Sequence, residues 1–350
     1  MGVIKPIHVK IKMPLQKAMN INAIKFFMLA AAFLSLHFCA QEEAPTDKFL
    51  ALEEISEIGI SEGDENYIFG SINDVEVDKW GNIYVLDQKM SRVTKFDEDG
   101  KFILKFGKKG QGPGEFEFPE AIVLDSERMI YMLSSGRVLK FDENGRFTHQ
   151  FPINFYGIDI AIDAEGNLIL LGPSENKIFH VYDKKGNHLY SFGETFEIPE
   201  EFSKFKGSRL FKLPLRLWAI ENEIYVLNPY RYEIHIYRDT KFIKKLSKDT
   251  PDYLRPEIKE AIPGGFAGYV SDNLFHKRGK RLFVFFNGKT SNWLDIYHDE
   301  QFVKSIKVEG SLKAIDSKGK FYSSEGEDYL KLALYTLVKK NSQGYSIHKD

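Results

Sequence analysis

From about residue 54 onward, apolar residues fall in short runs that alternate with polar ones, and Gly, Asn or Asp closes each run. That period of two, bounded by turn residues, predicts strands joined by tight hairpins. One passage occurs twice. Asp78-Lys79-Trp80-Gly81-Asn82-Ile83-Tyr84-Val85, followed by Lys95-Phe96-Asp97-Glu98-Asp99-Gly100-Lys101-Phe102, returns as Asp125 to Met132 followed by Lys140-Phe141-Asp142-Glu143-Asn144-Gly145-Arg146-Phe147. Aligning the central apolar residue of the second strand in each unit gives Ile83, Ile130, Leu168, Ile224, Leu282 and Phe321, separated by 47, 38, 56, 58 and 39 residues. Six units result, each with an inner strand, an Ile-Tyr-Val-like second strand, a third strand ending in an aromatic, and an outer strand. Repeats of this kind stack into a β-propeller. In the first unit the strands are expected over Ile72 to Val77, Asn82 to Leu86, Arg92 to Phe96 and Phe102 to Phe106. Asp99-Gly100, Asn144-Gly145, Gly186-Asn187 and Ser317-Lys318-Gly319 supply the positive-φ residues that tight hairpins need.

Three stretches carry a family resemblance: Gly81-Asn82-Ile83-Tyr84-Val85-Leu86-Asp87, Lys95-Phe96-Asp97, and Gly107-Lys108-Lys109-Gly110-Gln111-Gly112-Pro113-Gly114-Glu115-Phe116. With these motifs the chain resembles the NHL-type six-bladed propellers, specifically the six-bladed propeller lipoproteins of some Gram-negative bacteria. The likeness runs from about Ile55 to Lys340 and is strongest in the first three units. It implies an all-β ring of four-stranded antiparallel blades. The Gly-rich stretch is then an inter-blade crossing and not a phosphate cradle, since the lysine, the following Ser or Thr, and the receiving helix are all missing. The sixth unit has three clear strands, Leu312 to Asp316, Lys320 to Ser323 and Lys331 to Val338. The resemblance implies that an amino-terminal strand, here about 54–60, supplies the fourth and leaves no open edge. A local hairpin through Asn341-Ser342-Gln343-Gly344 into Tyr345 to His348 is the rival.

The amino terminus reads differently. Lys25 precedes an apolar run from Phe26 to Phe38, too short to span a bilayer and followed by Gln41-Glu42-Glu43. Residues 1–40 are expected to be a signal segment, with Met1, Met13 and Met19 as alternative starts, 41–53 a linker, and 54–350 a single propeller domain. Cys39, the only cysteine, stands where lipoprotein signal peptides place the acylated residue, after Leu36-His37-Phe38; plain secretion with cleavage near Ala40 is the alternative. Losing the five lysines of the segment takes the formal charge from −2 to about −7. With cations and acids interleaved and no basic stripe, nucleic acid is excluded as a partner, and the membrane is reached only through a lipid anchor.

Function is expected on one face. The enlarged connections Lys108 to Phe118, Glu194 to Lys212, and Lys248 to Val270 all join an outer strand to the next inner strand, so they crowd a single rim. Phe205, Arg209 and Tyr253 are its candidate contact residues, because aromatic and arginine side chains dominate binding hot spots. The alternative is that these aromatics pack inward as a local mini-core. At the starts of the inner strands, Asp74, Glu120, Asp159, Arg216, Asn273 and Lys313 would line the channel mouth. In propeller hydrolases and lyases acids and amides hold Ca²⁺ here, or histidines Zn²⁺. Placing Arg216 and Lys313 beside the acids instead favours a salt-bridged plug. The histidines are scattered, and no Gly-x-Ser-x-Gly elbow occurs. The leading expectation is an exported or lipid-anchored propeller without cofactor that binds an envelope protein, peptide or glycan. The alternative is a metal-dependent hydrolase or lyase using Asp74, Glu120, Asp159 and Asn273.

Overall fold

The computed structural model describes residues 50–200, 215–254, 259–262, 265–267, 273–326, 328–340 and 346–347. Five blades are continuous in sequence. Their inner strands are Asp74–Val77, Pro119–Leu124, Asp159–Ile162, Leu217–Ile220 and Asn273–Arg278, and in each the chain then moves outward through three antiparallel neighbours. The sixth blade is assembled from both chain ends, with Ser311–Ile315 inside, Lys320–Glu325 and Lys331–Lys340 next, and Leu50–Ile58 on the outer edge. Each inner strand touches the next, and Ser311–Ile315 touches Asp74–Val77, so the ring is closed.

The closing strand starts at Leu50, within the stretch expected as linker, and stops at Ile58 instead of residue 60. Its partner explains this. Lys331–Lys340 is ten residues long, and Leu50 pairs with Lys339 at one end while Ile58 pairs with Leu332 at the other. The rival hairpin is also present; among the described residues it is Ser346–Ile347, paired to Lys339 and Lys340. It leaves the outer edge of the blade to the amino-terminal strand. The first inner strand is shorter than expected, beginning at Asp74 and not Ile72.

Packing is divided among the blade interfaces. Each of six buried clusters draws on two adjacent blades, such as Val85, Phe96, Tyr322 and Leu332 between blades 1 and 6, or Leu133, Phe151, Leu168 and Tyr182 between blades 2 and 3. An aromatic at or next to the end of the third strand in blades 1 to 5 marks a recurring irregularity. The ladder to the outer strand slips just before Phe96, Phe141, Tyr182, Tyr237 and Tyr297. A bulge there sharpens the twist that outer strands need to lie against the neighbouring blade.

The turn that follows makes the joint between blades. At Asp97-Glu98-Asp99-Gly100 and Asp142-Glu143-Asn144-Gly145, the first Asp accepts hydrogen bonds from amides two and four residues on. The glycine takes φ 80° or 74°, where a side chain is strained. A Cβ on Gly145 would lie 2.5 Å from Phe106, in the outer strand of blade 1, and one on Gly100 would lie 2.9 Å from Ile58. Ile58 therefore occupies in blade 6 the place that Phe106 holds in blade 1.

Candidate functional site

The channel is lined by charge. Along Asp74–Val77 the alternation of the strand turns Asp74 and Glu76 toward the pore, where they meet Asp159 of blade 3, Arg216 and Trp218 of blade 4, His276 of blade 5 and Lys313 of blade 6. The enclosed space is about 130 Å³.

Two of the acids are used in the same way. Asp74 accepts from its neighbour Val75 N (3.1 Å) and from Ile122 N of blade 2 (2.9 Å). Asp159 accepts from Ile160 N (2.9 Å) and from Leu217 N of blade 4 (2.8 Å). Each carboxylate thus ties one inner strand to the next. Arg216 adds a crosspiece. Its guanidinium donates to Asp159 Oδ1 and to the carbonyl oxygen of Asn73, both at 3.3 Å. Asn73 belongs to blade 1, which stands opposite blade 4 in a ring of six, so Arg216 reaches across the pore.

This arrangement shifts the acids upward. Burial pushes Asp159 up to about 6, against the pull of Arg216, with the nearby charge of Asp74 adding to the rise. Asp74 is raised by burial, again opposed by Arg216 and less strongly by Lys313. Glu76 is held well above the carboxylate range by burial and then by Asp74 and Asp159. His276, tilted against Trp218 with ring centroids 5.4 Å apart, is pushed down to about 4 by burial and the charge of Arg278. Burial thus favours the neutral forms of Glu76 and His276 in the channel.

These residues do not fit a divalent ion. Asp74 and Asp159 spend both oxygens on amides, and no group of three His, Cys, Asp or Glu side chains among the described residues is arranged to hold a metal. Glu120 is drawn away from the channel, accepting from the Tyr156 hydroxyl at 2.6 Å on the rim of blade 2. Asn273 opens the inner strand of blade 5, opposite Phe286.

The rim candidates divide. Phe205 and Arg209 lie outside the described residues, as does Cys39. Tyr253 is no rim residue. It is 2% exposed, donates through its hydroxyl to the carbonyl of Asn228 (2.9 Å), and packs edge-on against Tyr232 in the cluster between blades 4 and 5. An aromatic in a long connection that can reach an inter-blade gap buries more area there than on the surface. Phe196 likewise packs on the cluster of blades 3 and 4. Four relevant residues went unread in the sequence. Glu76, Trp218 and His276 lie deeper in inner strands, and the alternation beginning at Asp74 was the signal for Glu76. The fourth, Phe118, closes the Gly-rich connection and is 64% exposed.

Among solved structures, the chain resembles a Bacteroides fragilis protein described as exported, at 12% identity and a TM-score of 0.56, over 85% of this chain and 98% of that one. A member of the duf4221 family from Bacteroides vulgatus gives 10% identity and 0.56, over 83% and 99%. Virginiamycin B lyase from Staphylococcus aureus gives 11% and 0.48, over 83% and 100%. At such identities the likeness is one of fold. No curated protein matches the chain. Its strands, register and ring agree with a family model described as a 6-bladed beta-propeller, DUF5128, which matches residues 54–306, and the chain belongs to that family.

Proposed function

We propose that this propeller is an exported envelope protein that binds a peptide, a glycan or a protein partner on the face carrying the enlarged connections, tethered by lipid at Cys39 and needing no cofactor. The observation that carries the reading is the rim of blade 2. Phe118 is 64% exposed and Tyr156 38% exposed, and Tyr156 is held by Glu120. Exposed aromatics steadied by a rigid scaffold are what recognition uses. The Arg216 crosspiece supports binding over turnover, because it occupies the space that a reacting group would need. The fold it shares with an exported protein supports the location.

The test is capture by the full chain on an array of peptidoglycan fragments, oligosaccharides and peptides. Phe118→Ala is expected to weaken capture about tenfold or more without moving the melting temperature. Equal capture by Phe118→Ala and by a Tyr156→Ala variant would overturn the reading.

A further inference from the structure

Blade 3 carries on its flank a polar set that the channel does not use. In the third strand, Lys177–Tyr182, His180 pairs directly with Ser191 of the outer strand, His188–Glu194. Ser191 Oγ is 2.8 Å from His180 Nδ1, and His180 Nε2 is 2.9 Å from the carbonyl oxygen of Gly172. A carbonyl can only accept, so Nε2 holds the ring proton and Nδ1 of the neutral ring is left to accept from the serine hydroxyl. The serine has one proton to give. His188 Nε2, 2.9 Å from Oγ, is therefore the donor in its contact. Donation runs from His188 to Ser191, from Ser191 to His180, and from His180 to Gly172.

The setting suits proton transfer. His180 is 5% exposed beneath the ring of Phe155, centroids 4.2 Å apart, and burial lowers its pKa so that the imidazole is neutral at neutral pH. Ser191 is half-buried and His188 exposed, and both line an open groove of about 570 Å³ walled by Pro152 and Asn154 from the connection out of blade 2. Nucleophile and base sit on adjacent strands of one ladder, which holds them more tightly than a loop would.

We propose that Ser191 is a nucleophile activated by His180, and that the groove admits a small ester whose acyl group it accepts. Oγ attacks the ester carbonyl carbon while its proton passes to His180 Nδ1. The bond to the leaving oxygen then breaks, and the alcohol departs with that proton. His188 N–H, released from Oγ as the new bond forms, faces the carbonyl oxygen as negative charge gathers there. Water next attacks the acyl-serine with His180 as base, which releases the carboxylic acid and restores Ser191. The Gly172 carbonyl serves as the third, orienting group of such a set. The proposal does not rest on the rim reading, because labelling at Ser191 and capture by Phe118→Ala are read separately.

The full chain is treated with a fluorophosphonate probe and mapped by peptide mass spectrometry, and p-nitrophenyl acetate hydrolysis is followed alongside. The expected result is a single adduct on Ser191, abolished in Ser191→Ala. Labelling should slow about a hundredfold in His180→Gln, the scale of a lost general base. It should slow less in His188→Asn, whose exposed side chain packs edge-on against Tyr182 and whose melting temperature is measured alongside. Labelling of the wild type should also rise with pH as His180 loses its proton and level off by neutrality. The proposal is overturned if a cooperatively melting wild type carries no adduct at Ser191, or if the probe reacts as fast at Ser174 in the same groove. His180→Gln alters a buried residue, so it is read only where it melts cooperatively, and Ser191→Ala and His188→Asn decide the question.

Discussion

Replacing Ile58 with Ala tests whether the amino-terminal strand is a working member of the ring. Ile58 is 4% exposed and lies in the cluster of blades 6 and 1 with Phe69, Phe96 and Leu332, against the glycine of the Asp97–Gly100 turn. The substitution removes three carbons. At about 0.8 kcal/mol per buried carbon the transfer loss is about 2.4 kcal/mol, and the cavity left behind raises it to about 3–4 kcal/mol. At about 2.1 cal/mol/K per residue over about 300 residues, each kcal/mol moves the melting temperature by about 1.6 °C, so a fall of about 5–6 °C is expected. Ile55, on the same strand but 46% exposed, is the internal control. Its replacement with Ala should cost under about 0.5 kcal/mol. Calorimetry of the full chain should show one transition, shifted as a whole, because the joint at Ile58 is the same as that at Phe106 and Gly145 in a closed ring. If Ile58→Ala melts within a degree of Ile55→Ala, the strand does not take part in the cooperative unit and the reasoning fails.

Glu76→Gln should stabilise the protein at pH 8 and not at pH 4. The folded pKa of Glu76 lies above its unfolded value, so the native state holds a proton that the unfolded state has released, and stability falls as pH rises through that window. Melting curves at both pH values check this, and a gain equal at both would refute it. Tyr253→Phe should cost about 1–2 kcal/mol by leaving the Asn228 carbonyl without its donor, while ligand capture is untouched. Chemical denaturation measures the first part, and lost capture at unchanged stability would return Tyr253 to the binding surface.

The blades were legible because two local signals coincide at each boundary. In Ile83–Asp87 or Ile130–Ser134 the strand is buried along its whole length, and the turn before it opens on an Asp, Asp78 or Asp125, that accepts from the amide four residues on. Asp74 and Asp159 were legible as channel acids because each opens the inner strand of its blade. Glu76 and His276 were harder to see. Alternation puts Glu76 on the same side as Asp74, but which side of an inner strand faces the pore is set by how the blades pack together. Tyr253 shows the same limit from the other side, since its residue type fits a binding surface and a packing cluster equally well.

The sequence by itself determined the number of blades, the strands within them and the turns between them, since hydrophobic alternation and backbone preference act over a few residues. Tertiary structure alone decided that Arg216 spans the pore to Asn73, that Tyr253 is buried, and that His188, Ser191 and His180 form one hydrogen-bonded set. Those outcomes depend on the closing of the ring and on ladder register. Both are set by contacts between residues far apart in the chain or on facing strands, and local pattern carries no record of them.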